Sequence, residues 1–354
     1  MRMTQLSLIL SIPVLGLMLG CSSGGGYSST PLPVPTVTDV YVAGYEFNET
    51  KYVAKFWKNG VATSLTDGTQ TASGLSVVVS GSDVYVSGYE YNGTTGQAVA
   101  KVWKNGVATS LSDGTKSAAA YGVTVVGNDV YVGGYERSGA SGTPYKAKGW
   151  KNGTTTFSTD GTKDASGYGA TVATGSHYVT GYEYNGTSVA VAKVWKDGVP
   201  TSLTDGTTHG YGYTVFLSGN DVHVAGQQMN SSSIYVAKSW KNGVVTALTD
   251  GTKYAYAWGV AVSGNDVYVS GAENNTAGKR VAKVWKNGVA TSLSDGSNNA
   301  NGYSLAVSGS DVYIAGYESN GTKDVAKVWK NGVATTLTNG ANDAYAEGIF
   351  IHVH

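Results

Sequence analysis

Cysteine occurs once among the 354 residues, at Cys21. A lone thiol closes no internal disulfide, so the fold has to be held by packing and hydrogen bonds. Net charge is also missing: Lys plus Arg and Asp plus Glu number 24 each, and no basic stripe appears. That balance argues against nucleic acid as a partner. Phe is scarce (5) beside Tyr (25). Histidines are few: His177, His209, His223, His352 and His354. His352 and His354 share one face of a C-terminal strand, but no third ligand accompanies them, and no metal is expected. No segment has EF-hand spacing. Gly-x-Ser-x-Gly, His-Glu-x-x-His and Gly-rich phosphate loops are all absent, so neither an enzyme nor a cofactor is expected.

What the chain does have is glycine, 50 residues of it, together with its tyrosines. Short strands joined by tight turns suit that mixture, with amphipathic rings near their surfaces. The N-terminus reads differently. Arg2 precedes an apolar run from Leu6 to Leu19, shorter than the roughly 20 residues a membrane span needs, so residues 1–20 read as a secretory signal. Its end, Leu17-Met18-Leu19-Gly20-Cys21, resembles the lipobox of bacterial lipoproteins. That resemblance implies cleavage before Cys21, lipidation of its thiol and an acylated amino group, enough chains for stable attachment to a membrane. Ser22 after the cysteine is similar to the signal for outer-membrane sorting. Residues 21–35, rich in Ser, Gly and Pro, read as a tether. The expected location is therefore the cell envelope, on a side the sequence does not choose.

From residue 36 to residue 354 the chain repeats. Ala100–Gly114 returns letter for letter at Ala282–Gly296, and looser copies surround Trp57, Trp150, Trp195, Trp240 and Trp329. Successive tryptophans are 46, 47, 45, 45, 45 and 44 residues apart. Each copy holds four strand candidates, in the second and third copies Val84–Glu90, Ala98–Lys104, Val107–Leu111 and Tyr121–Val126. Asn105-Gly106 and its equivalents are hairpin signals, because both residues accept the positive φ of a type I′ turn. Seven units of four antiparallel strands predict an all-β fold, a seven-bladed β-propeller. The ends predict its closure: the chain enters at a second strand, Val37–Gly44, and stops after a first strand, Gly348–His354. The C-terminal strand should therefore complete the first blade beside Val40–Val42 and bury both sheet edges. An open solenoid is the alternative. The pattern Ala-Lys-x-Trp-Lys-Asn-Gly, Leu-x-Asp-Gly-Thr and Gly-Asn-Asp-Val-Tyr-Val-x-Gly-Tyr-Glu resembles bacterial seven-bladed propeller repeats. It is also similar to extracellular repeats named for a His-Ala-Phe triplet, with Ala-Lys at the place of that triplet. The resemblance implies fold and export and carries over no catalytic residue.

Lys55 and its six equivalents occupy one slot, and Glu46 and five equivalents, with Gln228, another. They read as a cross-strand pair in each blade. With Glu46 opposite Lys55, Trp57 would lie opposite Gly44. The Asp slot from Asp67 to Asp295, with Asn339 last, reads as a turn cap. Eight residues beyond it the copies read Leu75, Tyr121, Tyr168, Tyr213, Trp258, Tyr303 and Glu347. This slot should open the innermost strand near the mouth of the channel. Tyr211, Tyr256 and Tyr345 stand two residues earlier, in what read as connections, on the same rim as divergent loops such as 137–145. Tyr121, Tyr168, Tyr211, Tyr213, Tyr256, Trp258, Tyr303 and Tyr345 are thus the candidate ligand-binding residues, with inter-blade packing as the alternative. The function expected is a monomeric, non-catalytic binding module that meets glycan, peptide or protein at this rim. A display scaffold is the second reading and a polysaccharide-acting enzyme the third.

Overall fold

A computed structural model describes residues 37–354. The signal, the lipidation site at Cys21 and the tether lie outside the described residues. The 28 strands form seven four-stranded antiparallel sheets, each a blade. In the second blade they are Ala72–Ser80, Asp83–Tyr91, Ala98–Lys104 and Val107–Ser110, from the inside outwards. The inner strands touch their neighbours in an unbroken circle, so the seven blades form a ring. The first blade is composite, as its ends predict. Ala344–Val353 lies inside Thr38–Phe47, with Val40 opposite Ile351 and Val42 opposite Ile349. Val37 and His354 seal the seam by exchanging backbone hydrogen bonds of 2.8 and 3.0 Å.

The turns form where the sequence places them. Asn105 and Gly106 have φ of 49° and 83°, the left-handed region that Asn-Gly tolerates. The asparagine also spans the hairpin: its Oδ1 accepts the Val84 N–H at 2.8 Å and its Nδ2 donates to Asp83 at 2.7 Å. Asp113 caps the next turn, accepting the Thr115 N–H and hydroxyl at 2.9 and 2.7 Å. Those bonds favour the ionised carboxylate and hold its pKa below the usual range.

Packing within a blade corrects the predicted register. Glu46 faces Val53, Gly44 faces Lys55, and Trp57 faces Val42. The Lys–Glu pair nonetheless forms diagonally, with 2.5 Å between Lys55 Nζ and Glu46 Oε2, because both side chains are long enough to bridge the offset. Gln228 replaces the acid in the fifth blade and accepts from Lys238 at 2.7 Å. The tryptophan also reaches its glycine diagonally. A Cβ on Gly88 would sit 3.1 Å from Trp103 Cζ3 and only 1.9 Å from the Ser73 carbonyl oxygen of the inner strand. No side chain fits there, which explains a glycine at this slot in all seven blades. The seven tryptophans of this slot are buried and bind blade to blade. Trp103, for example, packs with Val77, Val86 and Ala54 across the first and second blades.

Candidate functional site: a collar at the channel mouth

Each inner strand carries a β-bulge, and the bulges determine what faces the channel. Register breaks between Gly74 and Ser76, Ala120 and Gly122, Gly212 and Thr214, Ala257 and Gly259, and Gly302 and Ser304. The fourth blade skips Tyr168 and Gly169, and in the first blade the break falls at Glu347. The bulged residues are therefore Leu75, Tyr121, Tyr168, Tyr213, Trp258, Tyr303 and Glu347. A bulge leaves one residue out of the ladder and turns its side chain away from the alternating faces of the sheet. Here it turns all seven towards the axis, where they line one cavity of about 500 Å³. The slot does not open the strand, as the sequence suggested: the inner strand of the third blade begins at Ala118, three residues before Tyr121.

Five of these rings form a continuous arc. Centroids are 5.0 Å apart for Tyr121–Tyr168, 5.4 Å for Tyr168–Tyr213, 4.4 Å for Tyr213–Trp258 and 5.8 Å for Trp258–Tyr303. Glu347 and Leu75 complete the circle. Burial pushes the hydroxyl pKa of Tyr121, Tyr213 and Tyr303 far above its ordinary value, and that of Tyr168 up to about 12. The arc is therefore uncharged. Among the described residues Glu347 is the one carboxylic acid in the cavity wall, and no Lys or Arg accompanies it there. Its Oε1 accepts from the Tyr45 hydroxyl at 3.3 Å, and burial raises its pKa to about 7 despite that bond.

Above the collar lies a second tier, partly missed by the sequence reading. Tyr211, Tyr256 and Tyr345 belong to inner strands, not to connections. They pair with Gln227, Ala272 and Tyr45 of the second strands. In the other blades the second strand supplies the tyrosine, Tyr89, Tyr135, Tyr182 and Tyr317, opposite Ser73, Ala119, Ser166 and Asn301. Every blade thus contributes at least one ring to this tier, from one strand or the other. The signal was legible in the recurring Gly-Tyr-Glu: Gln227 and Ala272 break it in the two copies where Tyr211 and Tyr256 appear. Tyr211 links the tiers, 5.1 Å from Tyr182 and 6.4 Å from Tyr213, and Tyr256 stacks on Trp258 at 5.7 Å. Tyr345 donates to Asp324 at 2.8 Å. The eight candidate residues are all half-buried on one end of the ring. The loops after the second strands share this end, where Asn185 and Asn230 donate to the Gly206 and Gly251 carbonyls.

None of the five histidines lines the cavity. His209 accepts the Ala190 N–H at 3.1 Å, and the His352 and His354 rings lie 5.3 Å apart near the seam. Among the described residues no three of His, Cys, Asp or Glu are grouped so as to hold a metal ion.

No family model matches the chain, and no curated protein matches it. Solved structures do, as folds. An acylaminoacyl peptidase of Pyrococcus horikoshii is 14% identical with a TM-score of 0.52, over 86% of this chain and 51% of that one. A puromycin-hydrolyzing peptidase of Mycobacterium tuberculosis is 10% identical with a TM-score of 0.56, over 84% and 51%. The β-propeller domain of the Trilobed protease from Pyrococcus furiosus, described as having an open velcro topology, is 10% identical with a TM-score of 0.52, over 85% and 95%. The chain thus spans about half the length of the first two, and the described residues are propeller throughout. This corrects the expectation of a self-standing glycan, peptide or protein binder, or of a display scaffold. The solved structures that share the fold are peptidases or a part of one.

Proposed function

We propose that this protein is a peptidase-related propeller, the accessory part of a peptide-hydrolysing system in which its ring controls access to a hydrolase carried by another polypeptide or domain. The observation that carries the reading is the sealed ring with a collared channel, in a fold shared with peptidases of about twice the matched length. A closed disc with a constricted axis suits screening: it admits flexible chains and turns away folded ones. The propeller contributes no nucleophile of its own to this scheme.

Lipidation at Cys21 would keep the system at the envelope, in line with the lipobox resemblance. The test is to tag the full chain at its C-terminus, recover it from membranes of its host and assay the eluate on a set of fluorogenic peptides. Peptidase activity should follow the tag, and Cys21→Ala should move both chain and activity to the soluble fraction. Eluates with no activity above an untagged control would overturn the reading, and a Cys21→Ala protein that stays with the membrane would overturn the anchor.

A further inference from the structure

We propose that the collar is a binding site for a small organic cation, an alkylammonium group seated against the ring faces of the arc with the Glu347 carboxylate as its counter-ion. The site goes beyond access control and does not depend on it.

The argument begins with the odd members of the slot. Six of the seven bulged residues are uncharged, and five are aromatic. If the slot served packing alone, a seventh ring or an aliphatic residue would close the circle at no electrostatic cost. Instead a carboxylate stands between Leu75 and Tyr303. Burying a charge without a cationic partner is unfavourable, and among the described residues the only side chain bonded to Glu347 is the Tyr45 hydroxyl, at 3.3 Å. Among the described residues no cationic side chain lines the cavity. The wall therefore holds an acid with no cationic partner, partly protonated near pH 7, which a bound cation would draw into its charged form.

The arc supplies the rest. Aromatic faces carry negative quadrupole potential, and a cation within about 6 Å of a ring centroid is attracted to it. Neighbouring rings pack edge to face or tilted, with centroids 4.4–5.8 Å apart, so a group seated in the cavity meets the arc as one surface rather than a single ring. A carboxylate across the cavity then neutralises it. The combination selects against the alternatives. An anion would be repelled by both the rings and the acid. A small metal ion keeps its water shell, which ring faces cannot replace. A neutral sugar would leave the Glu347 carboxylate without a counter-charge. Alkylated ammonium is weakly hydrated and large enough to fill part of the 500 Å³. Such a group can be a free quaternary amine or the ammonium end of a lysine side chain.

Isothermal titration of the full chain separates these sources. The probes are tetramethylammonium, choline, a lysyl tripeptide with blocked ends, and 3,3-dimethylbutan-1-ol, the uncharged carbon isostere of choline. At least one of the three cations should bind at least ten-fold tighter than the isostere. Binding of the quaternary probes alone assigns a free amine, and binding of the tripeptide alone assigns a side chain. Glu347→Gln should weaken that binding at least ten-fold, and Leu75→Lys, which sets a fixed cation beside the acid, should abolish it, in proteins whose thermal unfolding stays cooperative. Failure of all three cations to bind, equal binding of the isostere, or unchanged affinity in the folded Glu347→Gln variant would each overturn the proposal.

Discussion

At the scale of single residues, the departures from the repeat are the most informative. His177 occupies a slot that is valine in the other copies, Val84 and Val130 among them. It is buried between Tyr131, at 5.3 Å, and Phe157, at 6.4 Å. Burial pushes its pKa down to about 4, although the charge of Asp197 pulls the other way. The native state therefore holds the neutral ring, while the unfolded chain takes up a proton near the ordinary value of about 6.5. Stability from this site is complete above pH 6.5 and is lost as pH falls towards 4, by at most about 3 kcal/mol at 1.36 kcal/mol per pH unit. His177→Val should lose less stability than the parent between pH 6.5 and 4, as measured by urea unfolding at each pH. Parallel curves for the two proteins would show that the histidine is not buried neutral. Glu347 is the opposite case, an acid whose burial favours the protonated form.

At the scale of elements, the sequence was legible wherever a local rule decides the outcome. Asn-Gly fixed the hairpins, Asp-Gly-Thr the caps, and period-2 alternation the strands. It was not legible where geometry between strands decides. Glu46 and Lys55 pair across a diagonal, so their contact does not reveal which residues stand opposite. The bulge has no composition of its own: leucine, tyrosine, tryptophan and glutamate all occupy it, because the position is defined by being left out of the ladder. Tyr211 and Tyr256 read as loop residues for the same reason, since strands that continue past a bulge do not keep simple alternation. The seam is the element that can be tested most sharply. In a background where Cys21 is replaced by Ser, Val40→Cys with Ile351→Cys should form an intramolecular disulfide on oxidation. By the usual effect of such a link, the protein should gain about 2–4 kcal/mol against denaturant. Val40→Cys with Val353→Cys, out of register by two residues, should form it far less readily. Intermolecular dimers from the first pair would show that the closing strand joins another molecule.

At the scale of the whole molecule, the ring resembles peptidase propellers in fold but closes with the first and last described strands in one blade, unlike the open velcro form described for the Trilobed protease. Closure makes the ring hard to spread, so the channel mouth is set by its collar and by the seven residues that the bulges place there. Filling that mouth tests the access-control account most directly. Leu75→Trp would place a sixth ring between Tyr121 and Glu347 without touching the blade cores. The measurement is the hydrolysis rate of the tagged assembly on peptides of increasing length, compared with that of the same peptidase after separation from the propeller. If substrates pass through the collar, Leu75→Trp slows the assembly at least several-fold, most for the longest peptides, while the separated peptidase is unaffected. Identical rates for parent and variant assemblies at every length would contradict it.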